Sequence, residues 1–519
     1  MKSNKTRLSG RMILCIVLLV LQLVLVFCSV FWLSEYYSAI YYWALTAFTA
    51  LAGLTIVNSR SNPDFKVAWL VMIALMPFAG LSLYALFGMD DPNLYTGEEK
   101  TLVSDYRAMT MPNRRQLRQA HLIELLPQNR KLEALSPDAA LQAHYLARYA
   151  YAPVWGNTAV TYFSFGEEKF AELLRQLEGA KKFIFIEYFI ISPGKMWSGV
   201  LDILTRKAAE GLDVRVLYDD FGSAKKLPDQ YYRTLRERGI RAYSYNKVTP
   251  VLDVRLNNRD HRKIVIIDGN VGFTGGVNLA DEYINEIHPY GHWKDCAVML
   301  QGAGVYNLTM MFLSLWDTVD STEETADFRP DPTFAASLPE NGFVIPYGDY
   351  PFDNEPVGRN VYLNLINRAR KSIHICTPYL VPDNETVTAL CNAAKSGIEV
   401  SIVTPFIPDK SYVFTVTRSF YDVLIESGVH IYEYTPGFIH SKSFVVDGEY
   451  ATVGTVNLDY RSFYFHLECG VWMYRTSCIA DMEADFARTV AVSTPPGRKI
   501  VHPNFMVRLG RSIMRLVAP

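Results

Sequence analysis

Two stretches decide the fold: His261–Ala280, HRKIVIIDGNVGFTGGVNLA, and His440–Asp459, HSKSFVVDGEYATVGTVNLD. Each opens on a His and a Lys two residues apart, runs into β-branched and apolar residues, and reaches an Asp followed by Gly. Residues i and i+2 of a strand share a face, so His261 points with Lys263, and His440 with Lys442. The apolar residues Ile264–Ile267 and Phe444–Val446 suit a buried strand, with Asp268 and Asp447 at its end. The similarity extends outward from these stretches. KKFIFIEYFI (Lys181–Ile190) is answered by RKSIHICTPYL (Arg370–Leu380). EGLDVRVL (Glu210–Leu217) is answered by SGIEVSIV (Ser396–Val403), and RGIRAYSY (Arg238–Tyr245) by SGVHIYEY (Ser427–Tyr434). The copies are displaced by 179 to about 190 residues, too far for a stacked solenoid and suited to a duplicated domain. Short β-branched runs alternate with helical segments such as 168–178, 199–210 and 361–370, which argues for an α/β sheet in each copy.

The rest of the chain divides around this duplication. Its 519 residues correspond to roughly three domain-sized units. Residues 1–89 carry six basic and two acidic side chains and three uncharged runs, Met12–Ser34, Tyr36–Ser59 and Val67–Met89. Each run has 23 or 24 residues, enough to span a bilayer, and the first is too long for a cleaved signal peptide. Pro77 and Gly80 mark the third run as the one to be irregular. The basic residues at the N-terminus and at 60–66 leave either membrane face open to the remainder of the chain, depending on whether all three runs span. The expected organisation is a transmembrane segment over 1–90, a connecting helical region over 91–150, a first lobe over 151–316, a linker rich in Pro, Asp and Glu over 317–341, and a second lobe over 342–519 with a C-terminal helix. The last helix, expected over Phe505–Val517, places Arg508, Arg511 and Arg515 along one side and suits either a membrane surface or packing onto the lobes. Residues 90–519 carry a net charge of −6, which makes them a poor candidate for general nucleic-acid binding through a basic face. Seven cysteines, an odd number in a long chain, do not suggest a disulfide framework.

His261-x-Lys263-x4-Asp268 followed by Gly275-Gly276-x-Asn278, and His440-x-Lys442-x4-Asp447 followed by Gly454-Thr455-x-Asn457, resemble the paired HxKxxxxD signatures of the phospholipase D superfamily. Trp69–Gly88, RDHRKIVIID with FTGGVN, HWKDCAV (His292–Val298) and TPYLVPD (Thr377–Asp383) are similar to bacterial cardiolipin synthases, over nearly the whole chain. An additional apolar run departs from a pattern that more often shows two.

The resemblance implies two phospholipase D-like α/β lobes packed face to face behind an N-terminal transmembrane segment, in a multi-pass protein of the bacterial plasma membrane. It implies a phosphatidyl transfer between two phosphatidylglycerol molecules, giving cardiolipin and glycerol through a phosphatidyl-histidine. One phosphodiester replaces another, so no cofactor is expected, and no metal is expected because no Cys/His cluster with ligand spacing surrounds the motif histidines. His261 is expected as nucleophile and His440 as general acid, then base; the reverse assignment stays open. Lys263, Lys442, Asn278 and Asn457 are expected around the non-bridging phosphate oxygens. Asp268 and Asp447 complete the motifs or hold loop geometry. Asp295 and Glu468 occupy matching places (Asp295-Cys296, Glu468-Cys469), either hydrogen-bonding the active imidazoles and fixing their tautomer or forming an ordinary buried ion pair. His374 and His430 lack a Lys two residues on and read as structural. A phospholipase D-type hydrolase, another phosphatidyltransferase and a non-catalytic membrane scaffold are the competing readings.

Overall fold

The computed structural model describes residues 17, 20, 24, 35–59, 62–84, 128–247, 258–320, 328–339, 341–351, 353 and 355–517. The chain forms two compact units, one comprising Met1–Tyr106, Thr249–Leu256 and Ser512–Pro519, the other Arg107–Val248 and Asn257–Arg511.

In the first unit, the run Tyr36–Ser59 forms one helix, Glu35–Asn58. The run Val67–Met89 is divided into helices Pro63–Leu75 and Pro77–Leu83, because Pro77 cannot continue the first and instead begins the second. Asn62 caps the first of these, its side chain accepting from the Asp64 backbone N–H at 2.9 Å. Ile56, Ile73 and Tyr84 form a small buried cluster. Among the described residues no helix is long and apolar enough to cross a membrane. The run Met12–Ser34 lies outside the described residues, apart from three isolated positions.

The second unit contains both copies. The first lobe is built on β1 (Thr158–Phe163), β2 (Phe183–Tyr188), β3 (Asp213–Asp219), β4 (Arg241–Tyr245), β5 (Lys263–Ile267), β6 (Val271–Gly275), β7 (His292–Lys294) and β8 (Ala297–Gly302). Its seven-stranded sheet runs β1-β8-β6-β5-β2-β3-β4. The second lobe comprises β9 (Phe343–Asp349), β10 (Ser372–Cys376), β11 (Leu380–Val381), β12 (Glu399–Pro405), β13 (His430–Tyr434), β14 (Gly437–Ile439), β15 (Ser443–Val446), β16 (Tyr450–Gly454), β17 (Leu458–Asp459), β18 (Glu468–Tyr474) and β19 (Ser493–Thr494). Its sheet reads β9-β18-β16-β15-β10-β12-β13-β19, the same order with one strand added. The duplication in sequence is therefore a duplication of topology.

Each half of the sheet has its own logic. Strands β2, β3 and β4 are parallel, joined by crossovers that include helices Lys195–Ala209 and Tyr232–Glu237; β5, β6, β8 and β1 are antiparallel. β2 is buried at all six positions, as a strand covered on both faces requires. Helix Val305–Trp316 is buried along its whole length and packs on both β5 and β9, joining the lobes through their core. The helix Pro137–Tyr149, expected as part of a connecting region, packs onto the second lobe: Gln142 Oε1 accepts from Trp472 Nε1 at 2.8 Å, and Tyr145 donates to Glu355 at 2.7 Å. In the stretch expected as a linker, Pro332–Ser337 is helical.

Candidate active site

The two motif hairpins end on Asp-Gly. Asp268 and Gly269 have φ of 54° and 71°, Asp447 and Gly448 of 57° and 66°. Ile267 pairs with Val271 and Val446 with Tyr450, so each loop has three residues, the first two left-handed. The N–H of the third, Asn270 or Glu449, donates to the Ile267 or Val446 carbonyl at 3.0 Å. Asp and Gly suit such left-handed turn positions. The Asp268 carboxylate accepts from the backbone N–H groups of Lys181, Lys182 and Phe183 at 2.7–3.0 Å, at the start of β2. Asp447 does the same for Arg370, Lys371 and Ser372 at the start of β10. Of the two roles open to these acids, the geometry favours loop anchoring: they sit at the opposite end of the strand from the imidazoles.

At the other end, the lobes meet by main-chain pairing. β14 pairs in parallel with β7, in the register Gly437↔His292, Phe438↔Trp293, Ile439↔Lys294. The next step along each chain sets His440 beside Asp295. On the other side Asp260 bridges Leu467, which sets His261 beside Glu468. The side chains follow: His440 Nδ1 lies 2.6 Å from Asp295 Oδ2, and His261 Nδ1 lies 3.0 Å from both Glu468 oxygens. Each imidazole is thus held by the acid of the opposite lobe. An ionised carboxylate only accepts, so each Nδ1 carries the proton and each Nε2 presents a lone pair. Neither Nε2 has a hydrogen-bond partner among the described residues.

Glycine makes this approach feasible. A Cβ on Gly276 would lie 2.0 Å from Asp295 Oδ1, and one on Gly454 would lie 2.3 Å from the Cys469 carbonyl oxygen. The glycines of the Gly-x-x-Asn segments thus admit the acid-bearing strands.

Lys263 and Lys442 are each 1% exposed, and each Nζ donates to the carbonyl oxygen of its own motif imidazole residue, His261 or His440. Asn278 is committed on both sides of its amide, accepting from Ile190 N–H at 3.1 Å and donating to the Tyr283 hydroxyl at 2.7 Å. Asn457 keeps a buried Oδ1 without a hydrogen-bond partner among the described residues. Its backbone N–H donates to Ser462 Oγ at 3.1 Å.

Burial sets the charge states. It holds His261 well below the usual imidazole range, with Lys263 adding to it and Glu468 opposing. His440 is lowered to about 4, first by burial and then by the Lys442 charge, against Asp295; Lys263 of the other lobe contributes as well. Burial brings Lys263 down to about 8 and Lys442 to about 7. Burial pushes Glu468 up, yet the facing His261 and His466 imidazoles hold it below the usual carboxylate range. The resting centre therefore carries neutral imidazoles, the state a nitrogen nucleophile requires, with Glu468 ionised.

Several neighbours are visible only in three dimensions. Lys294 is buried, with Nζ 2.9 Å from both Asp485 oxygens and 4.3 Å from the Phe165 ring centre, and ties the lobes together. Its alternation with His292 in a three-residue strand was its one trace in the sequence. The Tyr283 and Trp293 rings lie 5.4 and 5.5 Å from His440. His292 bonds Tyr434 at 3.0 Å and not the acids, whereas His466 lies beside His261. His374 pairs with Glu483 at 2.6 Å and stacks on Phe486, a structural role. Cys296 and Cys469 are buried core thiols, pushed up to about 12 and about 11 by that burial.

Comparison with known proteins agrees with this arrangement. The family described as "Cardiolipin synthase, PLD-like domain" matches residues 173–295 and 362–490, and "Phospholipase_D-nuclease N-terminal" matches 46–88. An uncharacterized protein of Streptococcus mutans is 41% identical over 467 residues, 90% of this chain and 98% of the relative. A cardiolipin synthase of Halalkalibacterium halodurans is 33% identical over 456 residues, 86% of this chain and 88% of the relative. The crystal structure of phosphatidylserine synthase from Haemophilus influenzae superposes with a TM-score of 0.53 at 16% identity, over 69% of this chain and 93% of that one, which supports the fold. With two lobes of that fold, two complete His-x-Lys motifs and a cardiolipin synthase relative matched over most of both chains, this chain belongs to the cardiolipin synthase family of the phospholipase D superfamily.

Proposed function

We propose that the protein transfers the phosphatidyl group of one phosphatidylglycerol to the headgroup hydroxyl of a second, forming cardiolipin and releasing glycerol. The crosswise acid–imidazole pairing carries this reading, because a phosphodiester exchange needs a nucleophile on one side of phosphorus and a proton donor on the other. With the phosphodiester bound, His440 takes up a proton on Nε2; His261 Nε2 attacks phosphorus, the bond to the glycerol oxygen breaks, and His440 gives that oxygen its Nε2 proton. His440 then accepts the proton of the incoming hydroxyl, whose oxygen attacks phosphorus as the P–N bond breaks. Division into two displacements lowers each barrier.

The assignment of roles is supported by the two pairs. The 2.6 Å contact of Asp295 with His440 stabilises the imidazolium that forms there once substrate is bound, while Glu468 is spread over two 3.0 Å contacts with His261. The negative phosphodiester entering between the rings raises the affinity of His440 for a proton. Lys263 and Lys442, with the Asn457 amide and the second N–H of the Asn278 amide, stabilise the charge on the non-bridging oxygens, as preorganised donors do. The N-terminal segment attaches the enzyme to the bacterial plasma membrane as a multi-pass anchor; the support is three uncharged runs of spanning length. Nucleic acid is not a partner of so acidic a unit.

The test is expression in a host lacking cardiolipin, followed by lipid mass spectrometry and trapping of the covalent intermediate. Cardiolipin and a phosphorylated His261 peptide are expected. Phosphatidic acid as the main product from pure phosphatidylglycerol would make the protein a hydrolase, and a phosphorylated His440 peptide would reverse the roles. Protease accessibility in sealed vesicles tests the anchor and gives its orientation.

A further inference from the structure

The two imidazoles have unlike neighbours. Two residues before Asp295 stands Trp293, against His440; two residues before Glu468 stands His466, with its ring centre 5.4 Å from that of His261. The Nδ1 of His466 is buried, has no hydrogen-bond partner among the described residues, and lies 3.6 Å from Glu468 Oε1. That same oxygen is 3.0 Å from His261 Nδ1. One ligand atom from each of His261, His466 and Glu468 falls within 4.8 Å of the others, and among the described residues no other trio of His, Cys, Asp or Glu does so.

We propose that His261, His466 and Glu468 form an inhibitory site for a divalent transition-metal ion of the zinc class. Two imidazoles and a carboxylate are a zinc donor set, and bonds of about 2.0–2.1 Å in a tetrahedron place donors roughly 3.3 Å apart. The 3.0 and 3.6 Å separations bracket that value, and a turn of the His466 ring closes the third edge. The ionised carboxylate offsets part of the charge brought into a buried place, and the fourth position is left to water. The lobe containing Asp295 cannot do the same, because Trp293 offers no ligand atom.

Inhibition follows from the tautomer. A metal on Nδ1 of His261 displaces the proton, and the neutral ring then carries its hydrogen on Nε2. The lone pair that attacks phosphorus is lost, and Glu468 no longer orients the ring. This consequence rests on His261 as the nucleophile; the binding itself does not.

The experiment uses the full-length protein, stripped of metal, in detergent micelles. Zinc is titrated by calorimetry and cobalt by its visible absorption, with cardiolipin synthesis followed in parallel. One ion per chain is expected, with loss of synthesis at the same midpoint and recovery on adding a chelator. His466→Ala should weaken binding by more than the roughly 10–100-fold that removal of a supporting group costs, and His440→Ala should leave binding as it was. A melting curve checks the fold of His466→Ala, and His466→Gln replaces it if it unfolds. Absence of saturable binding, or unchanged binding in the His466 variant, overturns the site. Binding that leaves synthesis untouched overturns the inhibitory role. Synthesis surviving in metal-free His261→Ala would instead overturn the assignment of the nucleophile.

Discussion

Replacing Asp295 by Asn should cost far more than replacing Glu468 by Gln, although the two acids occupy equivalent places. Asp295 Oδ1 accepts from the Cys296 backbone N–H at 2.8 Å, while Oδ2 faces His440 Nδ1. In Asp295→Asn the backbone donor retains the amide oxygen, so the NH2 group must face His440. The imidazole can then only accept at Nδ1, and its proton moves to Nε2, the wrong tautomer for taking a proton from the second substrate. The corresponding change in a serine protease triad lowers kcat by about 10^4. A loss of about 10^3–10^4 is expected here, or about 4–5 kcal/mol. Among the described residues no backbone N–H is bonded to the Glu468 carboxylate. Glu468→Gln can therefore keep its oxygen on His261 Nδ1 and turn its NH2 toward His466. It loses a charge-assisted bond and retains a neutral one, about 1–1.5 kcal/mol, or about tenfold in rate. The assay is kcat for cardiolipin formation in mixed micelles, with selective histidine labelling and NMR to read the tautomers. Equal losses in the two variants, or Asp295→Asn within tenfold of the parent, would refute the reasoning.

The buried lysines should give kcat/KM an alkaline limb. Lys442 titrates near 7 and Lys263 near 8 in the free enzyme, so a cation that meets phosphate is lost as pH rises through that range. Lys442→Arg keeps its charge and should move the limb upward; an unchanged profile would rule Lys442 out as its source. Asp268→Ala should lower stability by about 1–3 kcal/mol through the loss of three backbone partners, with kcat of the folded enzyme nearly unchanged. Denaturant unfolding and kcat together decide this, and a thousandfold fall in kcat at full stability would make Asp268 catalytic. Lys294→Met leaves Asp485 buried with its principal cation gone, and should cost about 3–5 kcal/mol. A variant that melts within 1 °C of the parent would show that the lobes do not depend on this pair.

Much of this protein follows from local sequence. The strands over 263–267 and 443–446 are written in runs of apolar and β-branched residues, their hairpins in Asp268-Gly269 and Asp447-Gly448, and the break in the third apolar run in Pro77. These are short-range signals, because strand faces, turn torsions and a missing N–H are decided within a few residues. The duplication was legible for a related reason: each copy repeats the same local signals in the same order. The matching places of Asp295 and Glu468 were also legible, but not their partners. Asp295 meets His440 across 145 residues of chain and Glu468 meets His261 across 207. Nothing local distinguishes a carboxylate serving its own lobe from one serving the other; the parallel register of β7 on β14, and of Asp260 on Leu467, makes that choice. The sequence by itself determined which groups could take part, since side-chain chemistry and strand periodicity travel with the chain. Only the tertiary structure decided which imidazole each acid orients, because that depends on main-chain pairing between lobes, and pairing is a property of the packed seam.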